Sequence, residues 1–280
     1  MSAINTLLVE PLGYEFMLRA LLIASLVGTV CAILSCFLIL KGWSLMGDAV
    51  SHAVLPGLIL AYMAGIPLVV GAIVAGLGCS LATGYLKTHS RVREDAVMGI
   101  VFSGMFALGL VMLTRVESNI HLLHVLFGNM LGASWADITE TALIAGLALL
   151  LLVLKGRALI VYFFDPAHAR AIGLPVGLLH NGFLLVLSLV IVAALKVAGI
   201  ILVVAMLIAP GAIALLVSRR FTTMVVIAVS VSLLTCFLGT LISFHIDAAT
   251  APLIVVIQAM VFIMALLFTL IRQRSPRSAP

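Results

Sequence analysis

Apolar runs of about twenty residues recur from end to end of this 280-residue chain, and that feature leaves few folds open. A helix of that length crosses the hydrocarbon core with every backbone N–H and C=O satisfied inside the segment. A membrane barrel would instead show short strands of alternating polarity, and none is present. Charged residues make up only 9% of the chain, where soluble domains carry about 25%. The fold class is therefore all-α: a polytopic helical membrane protein, with a single transmembrane domain over residues 1–280.

Candidate spans cover 16–40, 48–65, 67–86, 96–114, 137–154, 179–197, 199–218, 222–243 and 251–271. Basic residues cluster at Lys41, at Lys87, Arg91 and Arg93, at Lys155, Arg157 and Arg170, at Arg219 and Arg220, and at Arg272, Arg274 and Arg277. If all of these face the cytoplasm, nine spans alternate, with the N-terminus outside and the C-terminus inside. Two places leave the count between eight and nine. The 48–65 segment is short and carries Pro56, so a re-entrant helix is the alternative there. Residues 179–218 run almost unbroken except for Lys196. The first fifteen residues hold no Lys, and no Arg, so the charged start of a cleavable signal is missing and they read as mature protein. Residues 273–280 read as a disordered tail. The net charge of +5 lies in loops and tail, a topological bias and not a nucleic-acid surface. Cys31, Cys36, Cys79 and Cys236 all fall in apolar runs without a Cys-x-x-Cys pair, as small core residues do.

The most informative stretch is Gly47-Asp48-Ala49-Val50-Ser51-His52-Ala53-Val54-Leu55-Pro56-Gly57. On a helix Asp48 and His52 share one face. Pro56 cannot donate to the carbonyl of residue 52, so a helix break is expected at Pro56 and Gly57. An oxygen ligand, a nitrogen ligand and a freed carbonyl then meet within two turns, and such groups in hydrocarbon mark an ion pathway. The alternative is a helix N-terminus, with Asp48 as cap and His52 packed.

Three further segments carry polar groups. His121-Leu-Leu-His124-Val-Leu-Phe-Gly-Asn129-Met-Leu-Gly132 is too short to span and too apolar for an ordinary loop. It suits a half-inserted helix lining a cavity, with His121 and His124 either sharing a ligand or wetted at the interface. His245 and Asp247 fall in an external turn, where a solvated loop and a metal role both remain open. In the loop Tyr162 to Pro175, Asp165 reads as an N-cap, Pro166 as the first helical residue and Gly173 as the stop, with Pro175 beyond. A helix so sharply punctuated at a cytoplasmic loop reads as a docking lever or a plain surface helix.

The chain has no Gly-x-x-x-x-Gly-Lys-Ser/Thr loop, no His-Glu-x-x-His and no Gly-x-Ser-x-Gly. It therefore lacks a nucleotide-binding loop, a zinc-protease site and a hydrolase elbow, and an enzyme is not expected.

Five segments in order resemble the membrane permeases of bacterial ABC importers for manganese, zinc and iron. They are Gly47 to Gly57, Glu94-Asp95-Ala-Val-Met-Gly99 through Gly104, His124 to Asn129, Phe164-Asp165-Pro166 through Gly173-Leu174-Pro175, and Val197-Ala-Gly199 through Ile208-Ala-Pro210. The resemblance implies a pair of permease subunits, identical or related, working in the bacterial inner membrane. It also implies two cytoplasmic ATPase subunits and a periplasmic or lipid-anchored binding protein that delivers the ion. Asp48 and His52 match the family's pathway residues. Residues 163–175 match its coupling helix, with Phe164, Asp165, Pro166, Arg170, Gly173, Leu174 and Pro175 facing the ATPase.

No cofactor of the chain's own is implied, only a transported ion. Carboxylate plus imidazole suits Mn²⁺, Fe²⁺ or Zn²⁺. The residues after His52 and the segment from His124 to Asn129 resemble the manganese and iron members more than the zinc members. The rival from another class is a proton-coupled carrier using Asp48 and His52 as a relay. It predicts inverted repeats with paired broken helices, and no second half of the chain echoes residues 44–65.

Overall fold

The computed structural model describes Pro11 and residues 13–43, 45–92, 94–114 and 130–274. Among the described residues regular structure is entirely helical: α1 (Glu15–Lys41), α2 (Met46–Ala64), α3 (Leu68–His89), α4 (Glu94–Leu113), α5 (Trp135–Phe164), α6 (Pro166–Ala171), α7 (Val176–Val217), α8 (Phe221–Ile246) and α9 (Thr250–Arg274). All but α6 are long and apolar enough to cross a membrane.

The longest, α7, has 42 residues, roughly 63 Å if straight and about twice the hydrocarbon thickness. It is not straight. Gly199 stands at φ 77°, ψ 165°, a conformation only glycine adopts readily, and the contacts with α1 reverse there. Before it, Phe183 meets Phe37 edge-on at 5.9 Å, while Val190 and Ala193 line a small void with Val27 and Val30. After it, the Ser232 hydroxyl joins Gly28 to Met206, and the Gly211 N–H donates to Ser35 Oγ at 2.9 Å. The first arm thus runs antiparallel to α1 and the second parallel to it. Counting both arms, the long helical segments among the described residues number nine.

The 46–64 segment is one unbroken helix. Its 19 residues extend about 28 Å, and it runs antiparallel to α3. Gly57 lies on Gly71 and Ala75, and Val50 lies on Gly76. Lipid tails are as apolar as leucine, so helices in a bilayer associate by close packing of small residues. The α2–α3 crossing is of this kind: a Cβ on either Gly57 or Gly71 would overlap the other's carbonyl oxygen.

The break expected at Pro56 and Gly57 does not occur, because α2 is helical through both. Pro56 still has no N–H, but its neighbours hold the backbone in place. Gly71 closes on Gly57, and Gly109 of α4 comes so near that an added Cβ would lie 2.9 Å from Leu55 and 3.0 Å from the Pro56 nitrogen. Tertiary packing overrides the local weakness.

The core lies between α1 and α7, where Ile23, Leu34, Leu187, Ile191, Leu202 and Met206 are fully buried. By contrast α4 and α9 turn Ile100, Val111, Ile263 and Phe268 outward. Helix α5 continues ten residues past the expected end at 154, because Lys155 and Arg157 are exposed and so do not interrupt it. Its start is fixed by a capping box in which the Ser134 hydroxyl and the Asp137 carboxylate satisfy each other's backbone N–H.

Candidate metal centre

Asp48 lies in the first turn of α2, where a carboxylate favours the positive end of the helix. One turn later His52 projects from the same face, and its Nε2 sits 3.3 Å from Asp48 Oδ1. Two phenylalanines of α4 hold the imidazole, Phe102 stacked at 6.0 Å and Phe106 edge-on at 5.1 Å. The side chains remain 32% and 26% exposed, so this face of α2 is open beyond the single chain. His52 Nδ1 is buried and has no hydrogen-bond partner among the described residues. Such an unmade bond costs about 1–3 kcal/mol.

Depth follows from Val50, which lies between the two residues. A Cβ on Gly76 would meet Val50 Cγ1 at 3.2 Å and the Ser188 side chain at 3.4 Å. Val50 is therefore level with the middle of α3 and the middle of the first arm of α7. The acid–imidazole pair stands near mid-height of the bundle, where ionisable groups are costly and usually functional.

Chemically, the pair offers one hard oxygen donor and one borderline nitrogen donor on a rigid helix. Two donors do not complete a four- to six-fold coordination shell. Among the described residues no group of three or more His, Cys, Asp or Glu side chains converges. Cys79 is near α2, but its thiol lies 4.0 Å from the Ala49 carbonyl and adds no third donor.

The other sites singled out from sequence have local roles or lie elsewhere. His121 and His124 fall outside the described residues. His245 Nδ1 pairs with the Leu241 carbonyl at 2.9 Å, and Asp247 takes the left-handed cap position of α8 at φ 51°. In the 163–175 segment, Asp165 accepts from the N–H groups of Ala167 and His168, both at 2.9 Å. The His168 N–H, first, and then the Ala167 N–H hold its carboxyl below the usual aspartate range. Arg170 Nε donates to the Pro166 carbonyl, and Gly173 turns the chain at φ 80°. Phe164 is exposed beside it, and Leu174 packs back on the core. Pro175 caps α7.

One polar cluster lies outside the sites expected from sequence. Lys196, the charge that interrupts the apolar run of 179–218, reaches Asp137 Oδ1 at 2.8 Å and Glu140 Oε2 at 2.7 Å across from α5. The two acids are three residues apart on one helix face, which is the signal that points to a shared cation. At the same end Arg19 pairs with Glu15 and lies over the Trp135 ring at 5.3 Å.

The ABC 3 transport family matches residues 13–269. The chelated iron transport system membrane protein YfeD of Yersinia pestis is 58% identical over 272 residues, which cover 97% of this chain and 92% of that protein. The manganese transport system membrane protein MntB of Synechocystis sp. is 51% identical over 260 residues, covering 93% and 85%. In three dimensions the chain is similar to PsaBC from Streptococcus pneumoniae, solved in complex with Fab. The TM-score is 0.84 and the identity 35%, over 94% of this chain and 95% of that one.

Proposed function

The chain belongs to the ABC 3 transport family, and on that footing we propose that it is the permease subunit of a bacterial inner-membrane importer for Mn²⁺, with Fe²⁺ as a second cargo. The observation that carries the reading is the Asp48–His52 pair at mid-height, half-open to the outside of the chain and short of a full ligand set. A second permease copy related by a two-fold axis would bring a second pair to the same place, giving up to four ligands. A shared, moderately ligated site lets an ion enter and leave, as transport requires. The relatives named for manganese and for chelated iron support this cargo over zinc.

Two copies of a cytoplasmic ATPase would sit on residues 163–175. A periplasmic or lipid-anchored binding protein would load the site from the other side. The basic residues of the loops and tail assign the Lys41, Arg170 and Arg219 end to the cytoplasm. Residues 1–280 act as one permease domain.

The test is ion uptake in liposomes containing this chain, its ATPase and its binding protein, with Mn²⁺, Fe²⁺ and Zn²⁺ compared. We expect ATP-dependent uptake, fastest for Mn²⁺ or Fe²⁺ and lost in His52→Ala. Uptake driven by a proton gradient without ATP would overturn the importer reading, and a strong preference for Zn²⁺ would overturn the cargo.

A further inference from the structure

We propose that Trp43 is a positioning residue that carries displacement of α6 to the start of α2, and so sets where Asp48 and His52 stand. The inference rests on the reading of residues 163–175 as the ATPase-facing segment, and deepens it.

The path begins with a joint that has no slack. Asp165 ends α5, its N–H bonded to the Val161 carbonyl at 2.9 Å, and its carboxylate also caps α6. Helix α6 is tied on its far side as well: Ala169 is fully buried, and its carbonyl accepts from the Leu174 N–H at 3.0 Å. A tilt of α6 therefore moves the end of α5 and the start of α7 together.

Those two ends are clasped to each other. The Tyr162 hydroxyl of α5 bonds His180 Nδ1 of α7 at 2.8 Å. Trp43 stands edge-on against both helices, its ring 5.9 Å from Phe163 and 5.4 Å from His180. Lys41, in the last turn of α1, lies 5.9 Å over the Trp43 ring and 5.2 Å over the Tyr162 ring. Close-packed rings are stiff, so a shift in the clasp displaces the indole and is not absorbed.

The backbone of Trp43 is in turn bonded into the turn before α2. Its main-chain N–H donates to the Leu38 carbonyl at 2.8 Å, and its carbonyl accepts from the Met46 N–H at 3.0 Å. Asp48 follows two residues later, and α2 is helical from Met46 onward. From the α5–α6 joint to the acid of the metal pair, each link is thus a backbone bond, a side-chain hydrogen bond or a packed ring.

One feature marks Trp43 as more than filler. The residue is 5% exposed, yet its Nε1 is buried without a partner among the described residues. Native structures rarely leave a buried donor unused. Shape and ring contacts alone hold the indole here, and its N–H is available to a new acceptor when α5 and α7 shift.

The experiment measures ions transported per ATP hydrolysed in the reconstituted complex. If the parent complex shows no ATP-dependent uptake, the ATPase-coupled reading itself fails, whatever Trp43 does. With a coupled parent, Trp43→Leu is expected to assemble and to hydrolyse ATP within about twofold of the parent. Its ions per ATP should fall by roughly fivefold or more, the lower edge of ordinary coupling between sites. Trp43→Phe, which keeps a ring on Phe163 and His180, should recover most of the ratio. Tyr162→Phe removes one hydroxyl, and should lower the ratio even if the leucine variant fails to fold. An unchanged ratio in Tyr162→Phe, or a proportional loss of ATP hydrolysis and uptake in Trp43→Leu, would overturn the proposal.

Discussion

Two of the polar clusters in the apolar bundle are built on opposite terms. At the end of the first α7 arm, Lys196 lies between Asp137 and Glu140, with each ion pair at 2.7–2.8 Å, and Asp137 is also spent on the Ser134 cap. At mid-height, His52 touches Asp48 at 3.3 Å, leaves Nδ1 without a partner among the described residues, and faces out of the chain. The first cluster is saturated and holds α5 to α7 beside the Gly199 reversal. The second has donor capacity left over. Saturated charges stabilise a fold, whereas a polar pair left short of partners deep in a membrane points to a ligand that comes and goes.

The sharpest test of that contrast removes the unsaturated pair. His52→Ala or Asp48→Ala should lower Mn²⁺ uptake by at least about 100-fold, since even residues that merely orient a metal ligand cost 10–100-fold. Complex assembly should hold in both variants, and the melting temperature should stay parental in Asp48→Ala and fall by a few degrees in His52→Ala, which loses its ring contacts with Phe102 and Phe106. Uptake assays beside size-exclusion profiles would read both, and full uptake in both variants would sink the site.

The same treatment of the saturated cluster should give the reverse pattern. Lys196→Met strands two acids, but all three side chains are 26–48% exposed, so screening limits the loss. We expect about 1 kcal/mol or less, seen as a melting point lowered by a few degrees, with uptake per folded complex unchanged. Lys196→Arg should restore the melting point. A collapse of uptake in a well-folded Lys196→Met complex would erase the distinction.

Much of this was legible in the chain itself. The recurrent apolar runs set the helical membrane class, but residues 179–218 run almost unbroken in sequence, and only the structure fixes the reversal at Gly199. Asp165, Pro166 and Gly173 marked a short helix because caps act through neighbours in sequence. What stayed hidden depends on neighbours in space. Nothing local says that Gly109 and Gly71 will press α2 straight through Pro56, or that Lys196 lies 56 residues from the Glu140 it binds. Lys155 and Arg157 seemed to close α5, yet they lie exposed where charges end no helix.

Gln258 sharpens the comparison from another side. It is fully buried, and its Nε2 reaches Met206 Sδ at 3.1 Å and Thr235 Oγ1 at 3.3 Å, while Oε1 has no partner among the described residues. If a buried unpaired atom alone marked a transport site, Gln258→Met would abolish uptake. Gln258 lies within the helix packing, fully buried, and offers only a neutral amide oxygen with no carboxylate or imidazole beside it among the described residues, so we expect normal uptake. A volume-conserving change of this kind should move stability by less than about 1.5 kcal/mol, which thermal unfolding can check.

The smallest expected effect concerns Asp165, where the same logic of saturation operates in water. Its carboxylate is held below the usual range by the N–H groups of His168 and Ala167. A lowered folded-state value means that the ionised cap stabilises α6 at every pH above the ordinary aspartate value of about 3.9. That contribution disappears as pH falls through the depressed value, and it does not change between neutral and alkaline pH. Amide exchange of residues 167–171 should therefore be flat from pH 8 to about 5 once corrected for intrinsic rates, and should quicken only below that. Asp165→Asn keeps a good cap without a titrating group, so its corrected exchange should stay level into acid. If the asparagine variant loosens at low pH as the parent does, the acid sensitivity belongs to another group, and Asp165 holds α6 by geometry alone.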